Sequence, residues 1–442
     1  MMGRSVLCES FVEEYLRNLS RKAGICIGLL VGQPSSGGKD YIVHANRVKH
    51  SDGQVDEVVD LLDVELEQIS QHALVETRML PGGMYVLGIF VIHTKNVFED
   101  QVLLNRIKLI LLNMKATFDA NPLLMGSCDE LEKGEKLVFY YSSTGKQHSC
   151  KTVSLASSNP TVRPCDWKFA DSFTNWHALR THFEIEDVWK LNRKNDTEQY
   201  DTEANLTECA KQLNDQLVDA KILFDGAPKL SEDTVEGTLT MKNEKSFLVH
   251  IYQPSPTEFL DEKTNIERYN GALKFDGIIS SEVYVQSRCT FGEVERFIKT
   301  DIVRSLMSRV QIHCDALVQA DNTPLDKLTL NELPRRIYFP LRTKTTGSFP
   351  VQFSDYLFPE EGKDSAPSQI GNVLDISLTA RDIDATVELV PAVKEDERHS
   401  ADECGAGTAD DELDGKLNVP VVGGIVAVVV LLVALLVYYL LM

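Results

Sequence analysis

Apolar and polar positions alternate along this chain in patterns that switch between helical and strand periods. Near the start, Phe11, Val12, Tyr15, Leu16 and Leu19 recur at three- and four-residue spacing, which puts them on one face of an amphipathic helix. The runs ICIGLLVGQ (25–33) and KDYIVHANRV (39–48), separated by PSSGGK, predict two strands around a Pro/Ser/Gly loop. Between 56 and 79, Val58, Leu61, Leu62, Leu66, Ile69 and His72 return to helical spacing, and LPGG (80–83) ends that helix.

The next run, MYVLGIFVIH (84–93), is apolar throughout and rich in β-branched residues, as in a strand covered on both faces. A helix is expected over 99–116, with Val102, Leu103, Ile107, Ile110, Leu111 and Met114 facing inward, and strands over 136–142 and 150–155. This order of elements predicts an α/β (α+β) domain. Residues 184–224 read as helical but polar. A second folded unit follows, with strands at 247–253 and 272–286, an amphipathic helix over 291–318 and a strand at 336–341.

The last 24 residues, 419–442, carry no charge, enough for about 36 Å of helix against a hydrocarbon core of about 30 Å. A buried core helix is the alternative, but such helices follow one face, whereas this run is apolar all round. Asn418 and Pro420 suit its start, and Tyr438 and Tyr439 suit a membrane interface. Because residues 1–22 lack the uninterrupted apolar core and cleavage site of a secretory signal, the expectation is a single-pass tail anchor with the body in the cytosol.

Composition changes this picture little. The 442 residues are 43% hydrophobic and 25% charged, long enough for two domains plus tails. A formal net charge of −21 argues against nucleic-acid binding, which wants basic stripes. Between 395 and 414 nine Asp or Glu face one basic residue, Arg398, so a solvated spacer is expected there. The nine cysteines include no Cys-x-x-Cys pair, which favours reduced, buried thiols over a disulfide framework or a zinc site. Two sequons, at Asn195 and Asn205, are expected to be unmodified on the cytosolic side.

Candidate chemistry is sparse. The sequence lacks a P-loop, a dinucleotide fingerprint, a His-Glu-x-x-His helix and a Gly-x-Ser-x-Gly elbow. Gly24, Gly28 and Gly32 repeat every four residues but lie in a strand-like run, so strand packing is expected rather than a membrane dimer motif. A cysteine hydrolase built on Cys165 with His177 or His182 is the one arrangement to set against a simple packed loop or interface at RPCDWKFADSFTNWHAL (163–179). In that stretch the tryptophans suit an interface centre or an ordinary core equally.

The blocks GLLVGQPSSGGKDYIVHANRV (28–48), RMLPGGMYVLGIFVIHT (78–94) and RPCDWKF (163–169) resemble those of the odorant response abnormal protein 4 family. ALKFDGIISSEVYV (272–285), FGEVERFIKTDIVRSLMSR (291–309), PRRIYFPL (334–341) and the terminal apolar run resemble its later blocks in the same order. The resemblance implies a single-pass endoplasmic-reticulum or vesicle membrane protein that helps deliver a subset of odorant-type G-protein-coupled receptors to the cell or ciliary surface. It also implies association with a ubiquitin-fold-modifier-specific protease held at the endoplasmic reticulum.

The N-terminal half is also similar to the MPN fold of deubiquitinases and proteasome-lid proteins. Active members carry His-x-His followed by Ser-x-x-Asp, which hold a zinc ion. Laid on that pattern, Val91 stands at the first histidine, His93 at the second, and Gln101 and Leu104 replace Ser and Asp. One histidine of that set does not make a catalytic zinc site.

The sequence therefore predicts an α/β (α+β) protein with an inactive MPN-like domain at 1–183, a polar helical connector at 184–235 and a second α/β domain at 236–345. An acidic, largely disordered linker at 346–418 and a transmembrane anchor at 419–442 complete the expected order. No catalytic, cofactor-binding or metal-ligating residue is expected. The expected partners are G-protein-coupled receptors, the modifier protease and a membrane, without nucleic acid. A membrane-anchored hydrolase and a passive tether are the competing classes.

Overall fold

The apolar run expected to be covered on both faces is a strand, Tyr85–His93, buried at every residue. The structure, a computed structural model of the chain, describes residues 4–22, 25–35, 37–49, 60–126, 134–145, 147–157, 159–171, 176–190, 202–236, 246–253, 272–320, 332–342 and 351–388. These belong to a compact unit, Met1–Val390.

Seven strands close into a barrel: β1 (Ser5–Glu9), β2 (Cys26–Gln33), β3 (Lys39–Arg47), β4 (Tyr85–His93), β5 (Glu135–Ser142), β6 (His148–Ser154) and β7 (Thr161–Ala170). Their order is β1-β3-β2-β4-β5-β6-β7, and β1 shuts the ring by pairing in parallel with both β3 and β7. Barrel closure removes exposed strand edges, which otherwise invite pairing with other chains. Gly28 and Gly32 serve this packing: an added Cβ would lie 2.2 Å from Asn46 O and 1.8 Å from Tyr41 O respectively.

Three helices dress the barrel: α1 (Ser10–Lys22), α2 (Leu66–Met79) and α3 (Gln101–Asp119), with a short α4 at Pro122–Met125. As the spacing predicts, α1 buries Val12, Leu16 and Leu19, while Phe11 and Tyr15 are half-buried. Helix α3 carries the crossover between the parallel strands β4 and β5, a connection that needs a segment of about this length. Asp100 caps it, its carboxylate accepting from the N–H of Val102 at 2.9 Å and of Leu103 at 3.3 Å.

The second sheet contains β8 (Trp176–Lys190), β9 (Lys221–Phe224), β10 (Phe247–Tyr252) and β11 (Ala272–Gln286), in the order β11-β8-β10-β9. Strands β8 and β11 run antiparallel in unbroken register from Ala272↔Lys190 to Gln286↔Trp176. Helix α5 (Thr202–Val218) packs against α6 (Phe291–Ala320), which packs on β11. The LPGG turn that ends α2 stitches barrel to sheet: the Gly82 N–H donates to Glu282 O at 2.9 Å, and the Tyr284 N–H returns to Gly82 O at 3.1 Å. Finally β12 (Arg335–Pro340) pairs antiparallel with β13 (Gln352–Leu357), followed by α7 (Ala366–Leu374).

The mixed α/β reading holds, but three expectations need correction. The polar connector expected at 184–235 begins as strand: β8 crosses the expected boundary at 183, because Phe183, Ile185 and Trp189 are buried while Glu184, Glu186 and Lys190 are exposed, a period of two. Where the sequence predicts a packed loop or an interface at 163–179, the loop is replaced by β7 and the start of β8. Within the linker expected at 346–418, residues 351–388 are folded, since β13 buries Phe353, Ser354, Asp355, Tyr356 and Leu357 and α7 buries Ala366, Ile370 and Leu374.

The expected placement in an endoplasmic-reticulum or vesicle membrane is corrected as well. Among the described residues no helix is long and apolar enough to cross a membrane. Even the long helix α6 carries Asp301, Arg304 and Arg309 in its buried half. The apolar run at 419–442 and the acidic run at 395–414 lie outside the described residues.

Candidate functional site

Strand β12 brings a charge into the core. Arg336 is fully buried, and its guanidinium meets the Asp301 carboxylate of α6 in a two-pronged pair at 2.8 and 3.0 Å. Its Nε donates to Ser354 Oγ at 2.9 Å and its Nη1 to Ser280 O at 3.2 Å. Asp301 also accepts from Ser281 Oγ at 2.6 Å. Burial disfavours the charge on Arg336, but Asp301 outweighs it and holds the cation.

Glu388, near the end of the described chain, completes this cluster. Its carboxylate accepts from the N–H of Ser280 and of Arg336, both at 2.7 Å, from Ser280 Oγ at 2.9 Å and from Arg309 Nη2 at 2.6 Å. Burial works to raise its pKa; Arg309 and the backbone donors prevail and leave it below the usual carboxylate range. The backbone pairing of Asp384 with Tyr338 brings the segment to this position.

At its other end the same segment lies against the barrel. The last turn of α7 exposes carbonyl groups that no helical N–H can reach, and side chains of β3, of the residues just after it and of α2 take them. His44 Nε2 lies 3.0 Å from Leu374 O, His72 Nε2 3.0 Å from Val373 O, Asn46 Nδ2 2.8 Å from Val373 O, and Lys49 Nζ 2.7 Å from Gly371 O. Asp375 turns the chain out of the helix at φ 52°. It accepts from the Tyr15 hydroxyl at 2.8 Å and pairs with Arg47 and Lys49.

Beneath α7 sits a polar pair with unfilled valences. Asn46 donates to Glu76 Oε2 at 3.1 Å, yet Asn46 Oδ1 and Glu76 Oε1 have no hydrogen-bond partner among the described residues. Burial pushes the Glu76 carboxyl up to about 8, only partly offset by Asn46. Burial likewise lowers His44 to about 4 and also lowers His72. Residues 366–388 thus form a strap fastened at two places: at Glu388, and at the end of α7 by His44, His72 and Asn46 together with the ion pairs of Asp375 with Arg47 and Lys49.

The positions singled out from the sequence lie elsewhere. Val91 is a fully buried core residue of β4, and the buried His93 ring accepts from the Lys95 N–H at 2.9 Å, closing the turn after that strand. Gln101 is exposed and donates to Asn105 within α3. Cys165 lies opposite Cys150, whereas His177 Nε2 is 3.1 Å from Ser287 Oγ and His182 is exposed. Asn205 is buried within α5, and Asn195 lies outside the described residues.

Sequence reasoning missed Arg336, Asp301 and Glu388. The signal was present in part. Arg336 alternates with Ile337 and Phe339 inside a strand, and Asp301, Ser305 and Ser308 share one face of an amphipathic helix. Charged positions in such a setting call for a buried partner.

Comparison with known proteins covers the same folded region. Residues 28–385 match the family model described as Odorant response abnormal 4-like. "Protein odr-4 homolog" of Mus musculus is 26% identical over 404 residues, covering 88% of this chain and 87% of that one. "Odorant response abnormal protein 4" of Caenorhabditis elegans is 22% identical over 366 residues, covering 80% and 73%. Among solved structures, UfSP from C. elegans aligns with a TM-score of 0.43 and 7% identity over 85% of this chain and 57% of that one, too loose a likeness to carry a fold argument. The family match takes in the barrel from β2 onward, the second sheet and most of the strap, and on that match the chain belongs to the odorant response abnormal 4-like family.

Proposed function

We propose that this protein is a non-enzymatic adaptor that helps deliver a subset of odorant-type G-protein-coupled receptors to the cell or ciliary surface. The observation that carries the reading is the family match over 28–385, whose members include a relative named for an abnormal odorant response. The site geometry is compatible with it. The charges buried in the core are engaged in joining α6, β11, β12 and the strap to one another, which makes a rigid body suited to presenting a surface.

The finer part of the proposal is that the barrel is an MPN-like domain without catalysis. Laid on the MPN pattern, Val91 falls at the first histidine and is a core side chain, while His93 spends its Nδ1 on a backbone turn. A partner role toward a ubiquitin-fold-modifier-specific protease belongs to the same proposal, because inactive domains of that kind commonly pair with a related one.

The test is to remove the protein from cells that express an odorant-type receptor and count receptor at the surface. Surface receptor should fall while its total synthesis stays constant, and the intact chain should restore it. Unchanged surface receptor would overturn the delivery role. Capture of the modifier protease by the same intact chain, with receptor traffic unaffected, would leave the protease pairing as the function.

A further inference from the structure

Cys150 on β6 and Cys165 on β7 are direct partners in the antiparallel register. Residues so placed point to the same side of the sheet, with Cβ atoms about 4.5–5.5 Å apart, within about an ångström of the 3.5–4.5 Å that a disulfide spans. They also lie just below the surface: Cys150 and Cys165 are 6% and 8% exposed, against 0% for Cys8, and Pro164 and Asp166, which flank Cys165, are exposed. The next residue along, Asp166, pairs with Ser5 where β1 shuts the barrel. A bond between these sulfurs would therefore fasten the ring beside its seam.

We propose that Cys150 and Cys165 form a redox-active dithiol, a modification site that reacts with a low-molecular-weight disulfide such as glutathione disulfide and closes to a cross-strand disulfide. The Cys165 thiolate, the more exposed of the two, attacks one sulfur of glutathione disulfide, forming a mixed disulfide and expelling a glutathione thiolate. The Cys150 thiolate then attacks the Cys165 sulfur and expels the second glutathione. The two thiol protons end on the two glutathiones, so the protein loses two electrons and one glutathione disulfide gains them. Burial beside Cys165 holds the Cys150 thiol well above its ordinary pKa, which lowers its thiolate fraction and slows the closing step.

The full chain is equilibrated in glutathione buffers from reducing to oxidising, quenched in acid, alkylated and mapped by peptide mass. The expected result is that the peptides carrying Cys150 and Cys165 become joined, lighter by two hydrogens, along a two-electron curve. The unfolding midpoint should rise with them, and neither change should occur in Cys150→Ser or Cys165→Ser. Repeating the equilibration in urea just below the unfolding transition separates a slow reaction from an absent one. Full alkylation of both residues at every ratio, with and without urea, would overturn the proposal. So would a lasting mixed disulfide on Cys165 with Cys150 free in the parent chain, because the sulfurs would then be unable to meet.

Discussion

Glu388 and Glu76 are two buried carboxyl groups at opposite fastenings of one strap, and they are stabilised in opposite ways. Glu388 has Arg309 and three further donors and keeps its charge with a lowered pKa. Glu76 has one Asn46 amide and an oxygen without a partner among the described residues, and burial pushes it up to about 8. Burial is common to both. A facing cation, with the donors beside it, decides whether the charge survives burial.

The largest effect should come from breaking the charged side of this comparison. Asp301→Ala leaves Arg336 as a buried cation without its carboxylate, and such a break costs about 3–5 kcal/mol. Denaturant unfolding measures it. A loss below about 1 kcal/mol would mean that the Arg336 pair behaves like an exposed one.

The neutral side should respond with the reverse sign. Because the folded-state pKa of Glu76 lies near 8, above the ordinary carboxyl value of 4.5, the folded state holds a proton that the unfolded chain releases. Stability from this group is present below about pH 4.5 and is lost as pH rises toward 8. Glu76→Gln, which mimics the protonated form, should therefore stabilise the protein near pH 7 by about 3 kcal/mol, with the gain vanishing below about pH 4.5. Equal stability of variant and parent across that range would show that the carboxyl has a partner after all.

His44 gives a smaller effect on the acid side. Its folded pKa, about 4, lies below the ordinary imidazole value of 6.5, so its contribution is present above 6.5 and is lost as pH falls toward 4. His44→Gln should remove about 2 kcal/mol of that loss near pH 5. The Glu76 and His44 slopes oppose each other between 4.5 and 6.5, and Glu76 alone of these two acts from there to 8. Thermal melts of both variants over pH 4.5 to 8 would resolve the two slopes.

How far the sequence showed this can be seen residue by residue. Local periodicity exposed α1, β4 and α3 because their buried faces repeat over short spans. It failed at β8, where Glu184 and Glu186 made an alternating strand look like a polar helix. Strand β13 and helix α7 were hidden in an acidic context that dominates composition but leaves the pattern at Phe353, Leu357, Ile370 and Leu374 apolar. The pairing of Asp301 with Arg336 spans 35 residues, and Glu388 meets Ser280 across 108. Contacts at such separations leave no local trace, although a buried Arg inside a strand announces that a partner exists.

Amide hydrogen exchange over 366–388 tests the central claim, that this acidic segment belongs to the folded body and is fastened at both ends. Slow exchange is expected at the Ile370–Leu374 end of α7 and at the Asp384 N–H, which donates to Tyr338 O at 2.8 Å. Glu388→Ala should speed exchange around Asp384 first and leave α7 protected. Exchange throughout 366–388 at the rate of an unstructured peptide in the parent chain would contradict that claim.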